Sequence, residues 1–224
     1  IEGLADLIVA RQTGQEVAQA DFDAGVERAT LAVIEKQLAA GIDVGNDGEM
    51  PRPDFASYIA ERMSGFGMGG ATKRPIPQDA RKFPVWFSLV SDGSRRRLNV
   101  YNWPRAVADI AYGDGAGVAA ECSGFHAAHA RASGHFGEAF MTSVAPGFAA
   151  CALANNHYDS HEAYVFALAR ALKDEYRRIV DAGFILQIDA PDFGMERQGF
   201  FQNDSLSDFC LLYTSDAADE RNSV

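Results

Sequence analysis

The segment that most narrows the fold runs from Asp159 to Pro191. An amphipathic pattern, DSHEAYVFALARALKDEYRRIVDAG, leads with no linker into Phe184-Ile185-Leu186-Gln187-Ile188, and that apolar run stops on Asp189-Ala190-Pro191. A helix feeding a short, near-continuous apolar run predicts a strand covered on both faces in a parallel sheet. Pro191 has no N–H to give to a ladder, so the strand ends before it. Asp189 is left at the C-terminal end of the strand, where parallel α/β folds bind ligands. A carboxylate there either caps the following turn or belongs to a site.

The same alternation extends upstream. Asp21 to Gly41 reads as an amphipathic helix, with Phe22, Val26, Ala29, Val33 and Leu38 on one face and Gly41 as a left-handed stop. Ile42 to Asn46 is a short strand that runs into a Gly48-Glu49 turn. Arg52 to Phe66 reads as a second helix with Pro53 in its first turn. Residues 65–105, rich in Gly, Pro and Arg, read as an irregular excursion carrying a hairpin that turns at Asp92-Gly93. Ala106–Tyr112 is a strand, Gly117–Ala132 a helix, and Glu138–Val144 a strand closed by Ala145-Pro146-Gly147. Asp159 with Glu162 gives the long helix a capping-box start. This β-α-β-α order predicts an α/β fold, a parallel sheet with helices outside it, and leaves barrel and open sheet undistinguished. Glu49, Ser143 and Asp189 then gather at strand ends as a candidate pocket. Asn156, in the Asn155–Tyr158 loop, joins them at the same mouth, and the Gly113–Gly117 loop lies near it.

Composition closes off several functions. The chain has 224 residues, 47% of them hydrophobic, enough for one domain with a real core. Its net charge of −11 argues against nucleic acid and anionic membranes as partners. The only basic cluster, Arg95–Arg97, reads as a solvated turn. No apolar run reaches the roughly 18 residues of a membrane span. Cys122, Cys151 and Cys210 show no C-x-x-C spacing, which favours free thiols in a reducing cytoplasm. His126 and His129, one turn beyond Glu121 and Cys122, have the spacing of a metal-binding face, but they read better as a packed or solvated helix face. The start of the long helix separates His157 from His161.

Three stretches, LAAGIDVGNDGEMPRPDF, SVAPG and above all EYRRIVDAGFILQIDAPD, resemble the catalytic domain of cobalamin-independent methionine synthase and its shorter, single-domain relatives. The resemblance runs from about Asp21 to about Phe193 and is weakest over 65–105. It implies a partial TIM (β/α)8 barrel, roughly strands two to five of eight, over residues 1–204. It also implies a methyl or alkyl transfer to the thiol of homocysteine or a similar amino acid, with a methylated folate as donor and zinc holding the thiol as thiolate. A thiol with a pKa near 8.5 is mostly protonated at neutral pH, so a metal supplies the nucleophilic form. Carried over to this sequence, Glu49 and Asp189 hold the amino group of the substrate. The family's zinc ligands, a His-x-Cys pair and a later Cys, have no counterpart here. The family's first strand, with its Gly-Ser turn, is missing too. The resemblance therefore implies an incomplete barrel with no metal or catalytic residues of its own, inactive by itself and prone to aggregate at its open sheet edges.

The chain opens on Ile1 inside a helical pattern, which reads as an N-terminal truncation. Residues 205–224 read as a tail outside the family pattern, and Cys210 to Glu220 resemble a translated sequencing adapter. Two other readings stay open: a lyase resembling uroporphyrinogen decarboxylase, which binds acidic substrates through arginines without a metal, and an inactive remnant.

Overall fold

The computed structural model describes residues 3–68, 76–91 and 104–210. The chain divides into two compact units, Ile1–Gly70 with Leu98–Asp189, and Ala71–Arg97 with Ala190–Val224. In chain order the elements are α1 (Leu4–Gln12), α2 (Gln19–Ala39), β1 (Val44–Gly45), a 3-10 turn at Ser57–Glu61, β2 (Met63–Gly67), α3 (Gln78–Lys82) and α4 (Pro84–Ser91). They continue with β3 (Arg105–Tyr112), α5 (Ala116–Arg131), β4 (Glu138–Val144), α6 (Pro146–Ala152), β5 (Ala154–Asn155), α7 (His161–Asp181), β6 (Ile185–Asp189) and α8 (Asp192–Met195). The second unit contributes α3, α4 and α8.

The first unit carries two three-stranded sheets rather than one. The order β1-β4-β6 is parallel throughout, while β2-β3-β5 combines an antiparallel and a parallel pair. The strand expected at Ala106–Tyr112 therefore lies outside the parallel sheet, which has three adjacent strands where four were expected. What captures β3 is β2. The segment expected to continue a helix through Met63–Phe66 instead pairs antiparallel with β3, from Met63 opposite Tyr112 to Gly67 opposite Arg105. Asp54 Oδ1 accepts the N–H groups of Ala56 and Ser57 at 2.8 and 2.7 Å, which favours a single tight turn there. Gly65 and Gly67 then disfavour a helix. Gly65, at φ 90°, sits at the register shift between Ser64 and Phe66, where a Cβ would come within 2.5 Å of the Asp109 carbonyl oxygen.

Other local expectations are also corrected. Pro84-Val85-Trp86-Phe87 opens α4 instead of a hairpin strand, because proline suits the first turn of a helix. The Asp92-Gly93 turn and Arg95–Arg97 fall outside the described residues, as does the chain beyond Cys210. The long helix is capped by Ser160, whose Oγ accepts from Ala163 N–H at 3.0 Å, rather than by Asp159. Ala145-Pro146-Gly147 opens α6 instead of closing a turn. β6 is not covered on both faces: Ile185 and Ile188 are exposed at 45% and 48%, and among the described residues its strand partner is β4 alone.

Two apolar clusters hold the first unit together. One joins Ile59, Met63, Ala106, Val144, Phe148, Leu153, Leu168 and Leu172, wedging α6 and α7 against the second sheet. The other joins Ile34, Val118, Phe125, Phe136, Met141, Ile179 and Phe184, packing α2 and α5 on the parallel sheet, with Phe125 and Phe184 stacked at 4.9 Å. α2 presents Gly25, Ala29, Thr30 and Ile34 to the interior, a face centred slightly away from the expected Phe22–Val26–Val33 stripe.

Candidate functional site

The parallel sheet sets the height of the site. Gly45, the last residue of β1, is level with Ala139 of β4, and Asp189 of β6 is level with Val144. The chain leaving β1 climbs through Asn46, Asp47 and Gly48, which brings Glu49 to Thr142, whose Oγ1 donates to Glu49 Oε1 at 2.6 Å. Three side chains build this turn. Gln37 on α2 clamps Asn46 from both sides, donating Nε2 to the Asn46 carbonyl at 2.8 Å and accepting the Asn46 N–H at 3.0 Å. Asn46 Oδ1 accepts from Gly48 N–H at 3.0 Å, and Asp47 Oδ1 accepts from Glu49 N–H at 2.9 Å. Gly48 at φ 69° is followed by Glu49 at φ 55°, the one non-glycine with positive φ among the described residues. A side chain held in that region costs about 1–2 kcal/mol, so the surroundings must impose it.

Beneath the turn lies a buried polar network. Arg52 donates Nη1 to Thr142 Oγ1 at 3.0 Å, and Nη2 to the Thr142 carbonyl at 2.9 Å and to Glu121 Oε2 at 3.0 Å. Arg62 pairs with the other oxygen of Glu121 and, at 3.0 Å, with Glu175 Oε2. Glu175 has no exposed surface. It also accepts from Tyr58 at 3.1 Å, Ser143 at 3.0 Å and Tyr112 at 2.7 Å. The Tyr58 ring packs against both guanidiniums, 4.3 Å from Arg52 and 4.6 Å from Arg62. Burial pushes the Glu175 carboxyl upward, but Arg62 and the Tyr112 hydrogen bond outweigh it and leave the pKa below the usual value. Burial, followed by the Glu175 charge, raises both Tyr58 and Tyr112, so both phenols stay protonated as donors.

The charges of this network balance. Arg52 and Arg62 offset Glu121 and Glu175, so Asp47 and Glu49 contribute uncompensated negative charge at the strand ends. A site of this kind suits a cation such as an ammonium group.

Of the residues singled out in sequence, Glu49 lies four residues past the end of β1 and Asp189 is the last residue of β6, the two strands that flank β4. Asp189 accepts from Gln187 Nε2 at 2.9 Å through Oδ1, and its carbonyl accepts Ala145 N–H at 2.9 Å. Ser143 is buried in the network with its hydroxyl on Glu175. Asn156 lies with the second sheet, its N–H on the Ala106 carbonyl at 3.0 Å, at the opposite end of β3 from Tyr112. The Gly113–Gly117 loop backs onto Arg62, whose carbonyl accepts Gly113 N–H at 2.8 Å.

Arg52, Tyr58, Arg62 and Glu175 escape a reading of local pattern. Only Glu175 leaves a trace: it falls on the stripe Tyr164, Leu168, Leu172, Ile179, an acid at a core position of α7.

The helical His126/His129 spacing does not assemble a metal face. Glu121 is taken by two arginines, and Cys122 is buried against Met141, its pKa pushed up to about 11 by burial and then by Glu121. His126 Nε2 meets the Ala182 carbonyl at 2.9 Å, and His129 Nε2 accepts Phe136 N–H at 3.0 Å. Among the described residues no group of three or more His, Cys, Asp or Glu side chains could hold a metal ion. The donor set for a resident zinc is thus not supplied by them.

No protein-family model matches the chain. The methionine synthase of Saccharolobus solfataricus is 26% identical over 177 residues, covering 79% of this chain and 45% of that protein. That of Sulfolobus acidocaldarius is 25% identical over 182 residues, covering 79% and 44%. The B12-independent methionine synthase of Shewanella sp. W3-18-1, solved in complex with selenomethionine, superposes with a TM-score of 0.59 at 20% identity, over 80% of this chain and 45% of that one. The chain is thus similar in sequence to methionine synthases over about four-fifths of its length. It spans a little under half the length of these methionine synthases. The structural likeness to the Shewanella methionine synthase extends the relationship from sequence to fold. Among the described residues no helix is long and apolar enough to cross a membrane.

Proposed function

We propose that this chain forms part of a (β/α) barrel that binds an amino-acid substrate in a cytoplasmic S-methyltransferase of the methionine synthase kind. Glu49 and Asp189 would hold the substrate's ammonium group. The observation that carries this reading is that the two acids stand at the C-terminal ends of β1 and β6, Glu49 past the first and Asp189 as the last residue of the second, one on either side of β4, with Glu49 held through Thr142 on a network whose own charges cancel. Selenomethionine in the Shewanella protein is an amino acid of the proposed class. The methyl acceptor would be a thiol amino acid such as homocysteine, and the donor a methylated folate. Zinc would supply a thiolate in such a reaction. The donor set for it is not found among the described residues.

The lyase alternative needs arginines free to meet substrate carboxylates. Arg52 and Arg62 are both committed to buried glutamates, which weighs against it.

Calorimetric titration with L-selenomethionine tests the reading. Losing a charge-assisted hydrogen bond costs about 1.5–3 kcal/mol. Glu49→Gln and Asp189→Asn should therefore each weaken binding by about tenfold or more, while Asp43→Asn, on an exposed residue before β1, should not. N-acetyl-selenomethionine, which lacks the ammonium, should not bind. Equal affinity for wild type and both site variants would overturn the assignment.

A further inference from the structure

Asp47 stands out among the acids of the molecule. It is only 4% exposed, yet one carboxylate oxygen, Oδ2, is buried with no hydrogen-bond partner. A buried acid with one satisfied oxygen is costly to keep, and such groups persist where they do something. The satisfied oxygen, Oδ1, holds the N–H of Glu49, the residue in the left-handed conformation. The neighbouring turn positions are fixed by other means, Asn46 by Gln37 and Gly48 by Asn46. Glu49 N–H has Asp47 as its recorded partner.

We infer that Asp47 is the positioning residue for Glu49: its carboxylate fixes the left-handed turn that presents the Glu49 side chain to a ligand's ammonium group. The inference rests on the ammonium-site reading above and adds to it a residue that the resemblance does not assign. Three charged groups face Asp47: Arg52 from the segment after β1, Glu121 from α5, and Glu49 in the same turn. Burial raises its pKa to about 6, while the Glu49 N–H and Arg52 pull it down and the two glutamates add to the rise. The hold on Glu49 is therefore strongest above that pH, where the acceptor is a full carboxylate, and slackens as Asp47 takes up a proton.

The test follows the Glu49 amide by NMR in the full chain between pH 4.5 and 8, with L-selenomethionine titrated at each pH. In the wild type the Glu49 amide should be protected from exchange, and its shift should titrate with a midpoint near 6. Asp47→Ala should speed exchange of that amide at least tenfold and weaken selenomethionine binding about tenfold. Asp47→Asn keeps an acceptor oxygen, so it should restore the protection and most of the lost affinity while abolishing the titration of the Glu49 shift. Unchanged amide exchange in Asp47→Ala would overturn the inference. So would a freed amide with undiminished affinity, because the turn would then not be what presents Glu49. If Glu49→Gln binds as the wild type does, or the wild type does not bind, the ammonium-site reading falls. The amide exchange would still decide whether Asp47 holds Glu49.

Discussion

Glu175 and Asp47 are buried carboxylates with opposite consequences for stability. Glu175 carries hydrogen bonds from three hydroxyls and an ion pair with Arg62. Removing one partner of such a pair strands a buried charge, at a cost of about 3–5 kcal/mol. Glu175→Ala should lower the urea midpoint accordingly, and the paired change Glu175→Leu with Arg62→Met should recover much of the loss. Because its folded pKa is lowered, Glu175 stabilises the fold above the ordinary carboxylate range, and that contribution is lost as pH falls through its folded value. For Asp47 the sign reverses. Its pKa rises from 3.8 to about 6 on folding, so its ionisation works against the fold increasingly across that window and fully above it. Asp47→Asn should therefore raise stability at pH 7.5 by up to about 3 kcal/mol, at 1.36 kcal/mol per pKa unit, and leave it unchanged near pH 3.5. Denaturant titrations at the two pH values would show this, and equal gains at both would contradict it.

Among the elements, β1 is the shortest of the parallel sheet and depends most on one residue. A Cβ on Gly45 would lie 2.2 Å from the Phe136 ring, so the strand can approach that ring only without a side chain. Gly45→Ala should destabilise by at least the 1–3 kcal/mol typical of overpacking, and Phe136→Ala in the same chain should relieve part of the clash. A double-mutant cycle by thermal unfolding measures the coupling. From Ala106 onward β3, α5, β4, α7 and β6 were legible because each is long or strongly periodic, whereas the short α6, β5 and α8 were not. β4 has the expected bounds, and α5, α7 and β6 differ from theirs by one or two residues. Arg52–Phe66 was not legible, because Pro53 and a run of mixed residues look like a helix start while the decision lies with β3, some forty residues away. The site was half legible. Glu49 and Asp189 follow local stop signals, whereas Arg52, Tyr58, Arg62 and Glu121 are brought together only by long-range folding, which leaves no period in the sequence.

At the scale of the whole molecule, the three-stranded parallel sheet presents its β6 side with Ile185 and Ile188 about half exposed, and Ile42 and Val44 are exposed beside β1. Exposed apolar strand edges template association between chains. Ile188→Lys should reduce concentration-dependent self-association in sedimentation velocity while leaving the helical circular dichroism unchanged. Wild-type chain that stays monomeric at high concentration would remove the premise.

The buried network also has a history in time. Tyr58 and its partner Glu175 are separated by 117 residues. At a synthesis rate of 5–20 residues per second, roughly 6 to 23 s pass between their appearances. Through that interval Arg52 and Arg62 wait without one of the acids that will neutralise them, on a nascent chain whose early half cannot yet close. The network therefore cannot close before α7 has been made. A pause placed shortly before its codons would prolong the period in which those two arginines remain open to chaperones and proteases.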